Sequence, residues 1–431
     1  MSYSINAPES RPDAERLRQG KIPFDGGTLS DAERLRQGKV PLDRGTLDEI
    51  SAGLASLEDF LALHYLQDYI PAGGSKIKFI TGRPGSGKSH LARRLRNRAE
   101  SMGYLCVSFS AREVWLHDFR EIYLEIFRQC GFEALLSDCA RQIIRELGYD
   151  PADVGEGRNF MDYLTEQGEG DAISKGEIRS ALRRRFTRNP LLDNCFAACC
   201  SLLTGGVLGY PVLEPSNREL TLAYLRGDKS VKFSQLRALG VSPTGITRYN
   251  ARHLLRSLSE LVRLSGRPGL LVTVDEMEAL LDRSPDNPRR YTKLRREDSY
   301  ESIRQLIDDI DGMKHILFLL CFDRELMDNE NYGLKSYQAL WLRIQNEVVS
   351  VRFNRFADII DMDRYADEAY DEITLLDMSR RLSDALRRLG MDATPLDAEA
   401  VRDALERSRF GGVGLPYLIN RATLEGGETD V

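Results

Sequence analysis

Apolar positions along the chain follow two different periods, and the alternation between them sets out its elements. Leu47, Ile50, Leu54, Leu57, Phe60, Leu61 and Leu63 recur at three- and four-residue spacing, which predicts helix over 46–70. Pro71-Ala72-Gly73-Gly74 ends that pattern, and Ile77-Lys78-Phe79-Ile80 follows as a short run of the buried-strand kind. Helical spacing returns in Leu91-Ala92-Arg93-Arg94-Leu95-Arg96, and Tyr104 to Phe109 reads as the next strand. Two later runs, Leu270 to Val274 and Ile316 to Phe322, are again strand-like. Between Ser110 and Gly269 the sequence is mostly helical, with amphipathic stretches near 119–130, 135–147, 178–186 and 251–264. Beyond Arg343, Leu375, Met378, Leu382, Leu386 and Leu389 form one helical stripe, with further helices at 397–407 and 415–424. Strands alternating with helices predict an α/β fold on a parallel sheet. The expected organisation is a core over 46–365, a large helical insertion at about 111–268, and a helical domain at 366–431. Residues 233–249 have a faint helix–turn–helix look.

Residues 1–45 read as a separate arm. Asp13-Ala14-Glu15-Arg16-Leu17-Arg18-Gln19-Gly20-Lys21 recurs unchanged as Asp31 to Lys39, and the copies continue as Ile22-Pro23 and Val40-Pro41. Each copy predicts a short helix stopped by Gly and Pro. Two copies are too few for a solenoid. An interaction segment for a neighbouring subunit and a tandem duplication without function both remain open.

The strongest chemical signal is Gly82-Arg83-Pro84-Gly85-Ser86-Gly87-Lys88-Ser89, a G-x-x-x-x-G-K-[ST] phosphate loop continuing into His90. Its glycines allow positive φ and close approach of backbone N–H groups to phosphate. Lys88 would face the β- and γ-phosphates, the Ser89 hydroxyl would ligate Mg²⁺, and the following helix would point its N-terminus at the anion. The strand from Leu270 ends in Asp275-Glu276. Asp275 suits a magnesium carboxylate and Glu276 a base that polarises water, a pairing that favours ATP hydrolysis over transfer to a bound acceptor. Asp323, ending the next apolar run, is either a polar sensor near the γ-phosphate or a surface-loop acid.

Composition narrows the setting. At 431 residues, 42% of them hydrophobic, the chain is long enough for two or three domains and a sizeable core. Its longest apolar runs fall far short of a membrane span, and Met1-Ser2-Tyr3-Ser4 does not resemble a signal peptide. A cytoplasmic protein is expected. The seven cysteines lack C-x-x-C spacing, and Cys195, Cys199 and Cys200 sit in an apolar stretch, as buried free thiols would. A net charge of −6 argues against electrostatic coating of nucleic acid by the whole surface. Two local basic runs, Arg179 to Arg188 and Arg289 to Arg296, could grip a DNA backbone or could be solvated helix faces.

Four segments together resemble the ATP-binding proteins of BREX-type phage-defence loci, the BrxD-like and BrxC-like P-loop ATPases. They are Glu33 to Pro41, Lys78 to His90, Gly269 to Glu278 and Tyr337 to Ile344. The resemblance implies an AAA+-like, ORC/Cdc6-related ATPase, with the C-terminal helices as its lid. It also implies an oligomer working beside other defence proteins, often a DNA helicase. In that setting Lys88 and Ser89 match phosphate and Mg²⁺ binding, and Asp275 and Glu276 match the acidic strand end. Arg343 would be an arginine finger offered to a neighbouring subunit, with Arg352 and Arg355 as rivals, and Arg421 a lid sensor. The region around Pro416 lacks the Pro-Arg pair such a lid would carry.

Overall fold

The computed structural model describes residues 29–155, 157–284, 287–344 and 353–428. Strands β1 (Ser75–Gly82), β2 (Leu105–Ser110), β3 (Leu270–Asp275), β4 (Ile316–Asp323) and β5 (Ile359–Asp361) form one sheet in the order β2-β3-β4-β1-β5. Every neighbouring pair is parallel, so each connection crosses over the sheet. The strand beside the phosphate loop is therefore separated from the acidic strand by β4.

Alternate residues of each strand supply two cores. Val272, Val274, Phe318, Leu320, Ile77 and Phe79 face the helices inserted between β2 and β3, and these pack into one continuous hydrophobic body. Leu271, Leu317, Leu319, Cys321, Ile80 and Ile360 face the other side, under Leu91, Ala92, Leu95 and Ala99. Apolar residues on both faces explain why these strands read as unbroken hydrophobic runs.

The helices that bear on the sheet edge are α1 (Asp31–Arg36), α2 (Arg44–Ile50), α3 (Lys88–Ser101), α4 (Lys293–Asp309), α5 (Glu372–Arg388), α6 (Ala398–Phe410) and α7 (Leu415–Glu428). The last three pack on one another, α1 sits on α7, and α2 lies against both α5 and α3. The second copy of the repeat is thus part of the body, not a projecting arm. Ion pairs Arg44–Glu100 and Asp48–Arg94 fasten α2 to α3, and Glu49–Arg388 fastens it to α5. The first copy lies almost wholly outside the described residues.

Two local expectations are corrected. The segment 46–70 is not one helix: α2 is followed, after Ser51–Leu54, by Ala55–Leu61 and a wider π-type stretch Ala62–Tyr69. Nor do residues 233–249 make a helix–turn–helix. Helix Phe233–Ala238 is followed by a non-helical stretch up to Ala251, too long for the three- or four-residue turn of that motif. Cys195, Cys199 and Cys200 are buried free thiols on Asn194–Leu208. Among the described residues no helix is long and apolar enough to cross a membrane.

Candidate functional site

Strand register builds the site. Gly82 lies opposite Asp323, and Ser110 opposite Asp275, so the strands end together at the C-terminal edge of the sheet. In open α/β sheets that edge is where ligands are received. From β1 the chain turns through the phosphate loop into α3, whose first residue is Lys88. Gly85 has φ +74°, and a Cβ there would stand 2.4 Å from Cβ of Tyr417, so both the turn and the packing require glycine.

Lys88 is buried, and its ammonium lies 2.7 Å from Oδ1 of Asp323. It also donates to the carbonyls of Gly82 at 3.3 Å and Arg83 at 3.0 Å. Asp275 accepts a hydrogen bond from the Glu276 N–H at 2.9 Å. Burial raises the Asp275 carboxyl above its ordinary range, while the neighbouring Ser89 hydroxyl pulls it back.

Glu276 adopts φ +54°, an uncommon left-handed conformation for a residue with a side chain. Its carboxylate accepts a hydrogen bond from Ser110 at the end of β2 and lies 3.6 Å from the Arg112 guanidinium. Arg112 also donates to Asp282 at 2.6 Å, holding that carboxyl down to about 2. Two residues past the acidic pair, Glu278 accepts the Asp323 N–H at 3.2 Å. Burial, then the neighbouring Asp323 charge, pushes Glu278 up to about 8.

A cavity of about 330 Å³ opens above these groups. Gly85, Gly87, Lys88, Ser89, Asp275 and Glu276 line its polar side. Leu35, Gly38, Val40 and Pro41 from the arm, with Tyr370, Met378, Leu382 and Tyr417 from the C-terminal region, line an apolar side. His90 lines it too, 2.6 Å from the Ser51 hydroxyl, and burial pushes its imidazole down to about 4, so it is neutral. The size is at the lower end for small-molecule sites.

The phosphate loop is tied to the C-terminal helices. The Gly414 N–H donates to the Pro84 carbonyl at 2.8 Å. Arg83 donates to Asp363 at 3.1 Å and to the carbonyls of Ser408, within the end of α6, and Gly411, just beyond it. Arg324, next to Asp323, donates to Asp361 at the end of β5 and to Asp363. Ser86 Oγ and Thr273 Oγ1 are buried with no hydrogen-bond partner among the described residues.

The two sequence-assigned arginines are not in this cavity. Arg421, on α7, is ion-paired with Glu425 and is absent from the cavity wall, although its neighbours Pro416, Tyr417 and Asn420 belong to it. Arg343 is held by Asp308 of α4 at 2.5 and 3.0 Å and by the Ala339 carbonyl at 2.7 Å, away from the chain's own phosphate loop. Arg355 points at the Ser56 carbonyl at 3.4 Å, and Arg352 lies outside the described residues. Both basic runs are partly committed to the body. Arg185 bonds the Leu264 carbonyl and Glu146, Arg296 is buried over Tyr332, and Arg289 and Arg295 stack on Trp115. Sequence reasoning missed Ser110, Arg112, Glu278 and Asp363. A hydroxyl at the end of β2 was the one available signal, since β2 pairs with the acidic strand.

A parallel sheet carrying a glycine-rich loop and an acidic strand end at one edge fits the P-loop class of nucleotide-binding α/β proteins. The family model for the BREX system ATP-binding protein BrxC/D matches residues 32–146 and 206–374, most of the chain, and the chain belongs to that family. An ATP-binding role in phage defence follows from this membership. No relative was found among curated proteins.

Proposed function

We propose that the chain binds ATP with Mg²⁺ at this edge and hydrolyses it to ADP and phosphate, as an AAA+-like member of its family. The carrying observation is the convergence of Lys88, Ser89 and buried Asp275 on one cavity at the end of the phosphate loop. A small hard cation takes oxygen ligands of this kind, and the unpartnered Ser86 and Thr273 hydroxyls leave donors free at the same place. Mg²⁺ would neutralise charge on the phosphates; Ser89 and Asp275 would hold it, directly or through water.

Lys88 binds phosphate once released from Asp323, and backbone N–H groups from Gly85 to Ser89 cradle the anion. Glu276 orients the attacking water and takes its proton. For that its carboxylate must leave Ser110 and Arg112, which occupy the oxygens that would meet the water. The apolar wall from the arm and α5 receives the base of the nucleotide and excludes water. Action in an oligomer, on DNA and beside a helicase or other defence protein belongs to the same reading. In an oligomer Arg343 would have to exchange Asp308 for a neighbour's phosphate.

A second reading is favoured by the restraint on Glu276 together with the ties from the phosphate loop to the C-terminal helices: a nucleotide-gated switch in which ATP holds a conformation and turnover is incidental. Calorimetry and turnover on the same variants separate the outcomes. Lys88→Ala should weaken ATP binding by about 10- to 100-fold. Glu276→Gln should keep binding and lower turnover by about 10²- to 10⁴-fold. Retention of defence by Glu276→Gln would favour the switch. ATP binding unaffected by Lys88→Ala would overturn both readings.

A further inference from the structure

The duplication at the N-terminus is longer than its opening helix. Residues 13–30 and 31–48 align throughout and differ at only four positions: Ile22 for Val40, Phe24 for Leu42, Gly26 for Arg44 and Ser30 for Asp48. The family match starts at residue 32, inside the second copy, and takes in nothing of the first.

The contacts that seat the second copy divide cleanly by this comparison. Asp31 accepts the N–H groups of Leu42 and Asp43 at 2.7 and 2.9 Å, closing the helix–turn unit on itself. Arg34 is buried and donates to the Val40 carbonyl at 2.7 Å. Leu35 packs with Leu382, Leu386 and Ala393. Gly38, at φ +70°, meets the Tyr417 ring so closely that a Cβ would stand 2.9 Å away. Asp43 caps α2 through the Thr46 N–H at 2.8 Å, and Leu47 is fully buried. Each of these side chains is present in the first copy, as Asp13, Arg16, Leu17, Gly20, Asp25, Thr28 and Leu29. What the first copy lacks lies on the outside. Arg44 and Asp48, whose side chains are 56% and 63% exposed, make the ion pairs to Glu100 and Arg94. Ser30 caps α1 in a reciprocal box with Glu33, where the first copy has Pro12. The code for docking is duplicated, and the code for holding on is not.

We propose that residues 13–30 are an alternative occupant of the seat that residues 31–48 fill on α5 and α7 of the same chain. When the first copy docks, the second leaves as an eighteen-residue loop. Competition is intramolecular, so it does not depend on protein concentration, and the entropy of a loop this short grows only slowly with its length. The missing cap and ion pairs make the second copy the preferred occupant. The exchange alters one wall of the cavity, because Leu35, Gly38, Val40 and Pro41 line it. It needs no nucleotide, and its test is independent of the ATP reading.

A mutant cycle on the full chain tests it. Leu17→Asp should leave the melting temperature unchanged, because the second copy holds the seat. Leu35→Asp should cost little, because the first copy replaces the second. The double variant should melt lower than the two single effects predict, by roughly 5 °C or more. A double variant that melts with Leu35→Asp alone overturns the proposal. A second readout fixes the place. In a Leu35→Asp background, Gly26→Cys with Glu100→Cys should be joined by a short bismaleimide within one chain, as Arg44→Cys with Glu100→Cys should be in the parent. A cross-link found only between chains, or none, also overturns it.

Discussion

On one side of the cavity four strands deliver their polar ends in register, so that Lys88, Asp275, Asp323 and Ser110 meet with little freedom. On the other side the wall is assembled from segments far apart in sequence: Val40 and Pro41, Tyr370, Met378 and Leu382, and Tyr417. The first wall is fixed by backbone hydrogen bonding and carries charge. The second is fixed by side-chain packing and is mostly apolar, with Arg34 and Lys39 of the arm also lining the cavity. One cavity can therefore have a part that any triphosphate would satisfy and a part that depends on how two helical segments are seated.

That contrast can be broken experimentally. On the proposed function, substitutions on the charged wall change affinity for all nucleotides together, with Lys88→Ala the largest effect. Met378→Ala, on the apolar wall, should weaken ATP by about three- to tenfold through lost apolar contact and should reduce preference for ATP over GTP. Equal losses for ATP and GTP by calorimetry would mean that this wall does not receive the base. Asp323→Asn should act in the opposite direction. It removes an anion that holds Lys88 at 2.7 Å and would repel phosphate, so ATP should bind roughly three- to tenfold tighter at low salt. Weaker binding would make Asp323 a phosphate-side sensor and not a competitor.

The smallest effect concerns pH. Glu278 has its carboxyl raised to about 8, against an ordinary value near 4.5. Between those values the folded protein holds a proton that the unfolded chain has lost, so stability falls as pH rises from about 4.5 to 8. Glu278→Gln should flatten this part of the profile and leave the protein as stable at pH 8 as near pH 5. A wild-type melting temperature with no decline over that window, or an identical decline in the variant, would show that the carboxyl is not held neutral.

The charged wall was legible in the sequence for a physical reason. Phosphate binding needs glycines, a lysine and a hydroxyl at fixed local spacing, and Asp275-Glu276 ends an apolar run long enough to recognise. The four long strands were legible in the same way. β5 was not, because Ile359–Asp361 is too short to show a period. Ser110, Arg112 and Glu278 were missed because their roles come from strand pairing and burial, which act across 45 or more positions. The arm was read as separate because its helix is short and polar. Its attachment rests on Leu35 and Gly38 meeting partners more than 300 residues away. The place of Arg421 was not legible for a related reason: a helix face cannot be oriented from spacing alone, and here Arg421 pairs with Glu425 one turn later and is absent from the cavity wall.

The bonds of Arg83 and Pro84 carry a mechanical consequence. These two residues stand inside the phosphate loop, yet their partners are the Ser408, Gly411 and Gly414 backbone at the joint between α6 and α7. On the proposed function, an anion that drew the loop inward would pull on that joint, and a small displacement at the loop would become a larger swing at the far tips of two helices. Occupancy of the cavity would then be geared to the outline of the molecule.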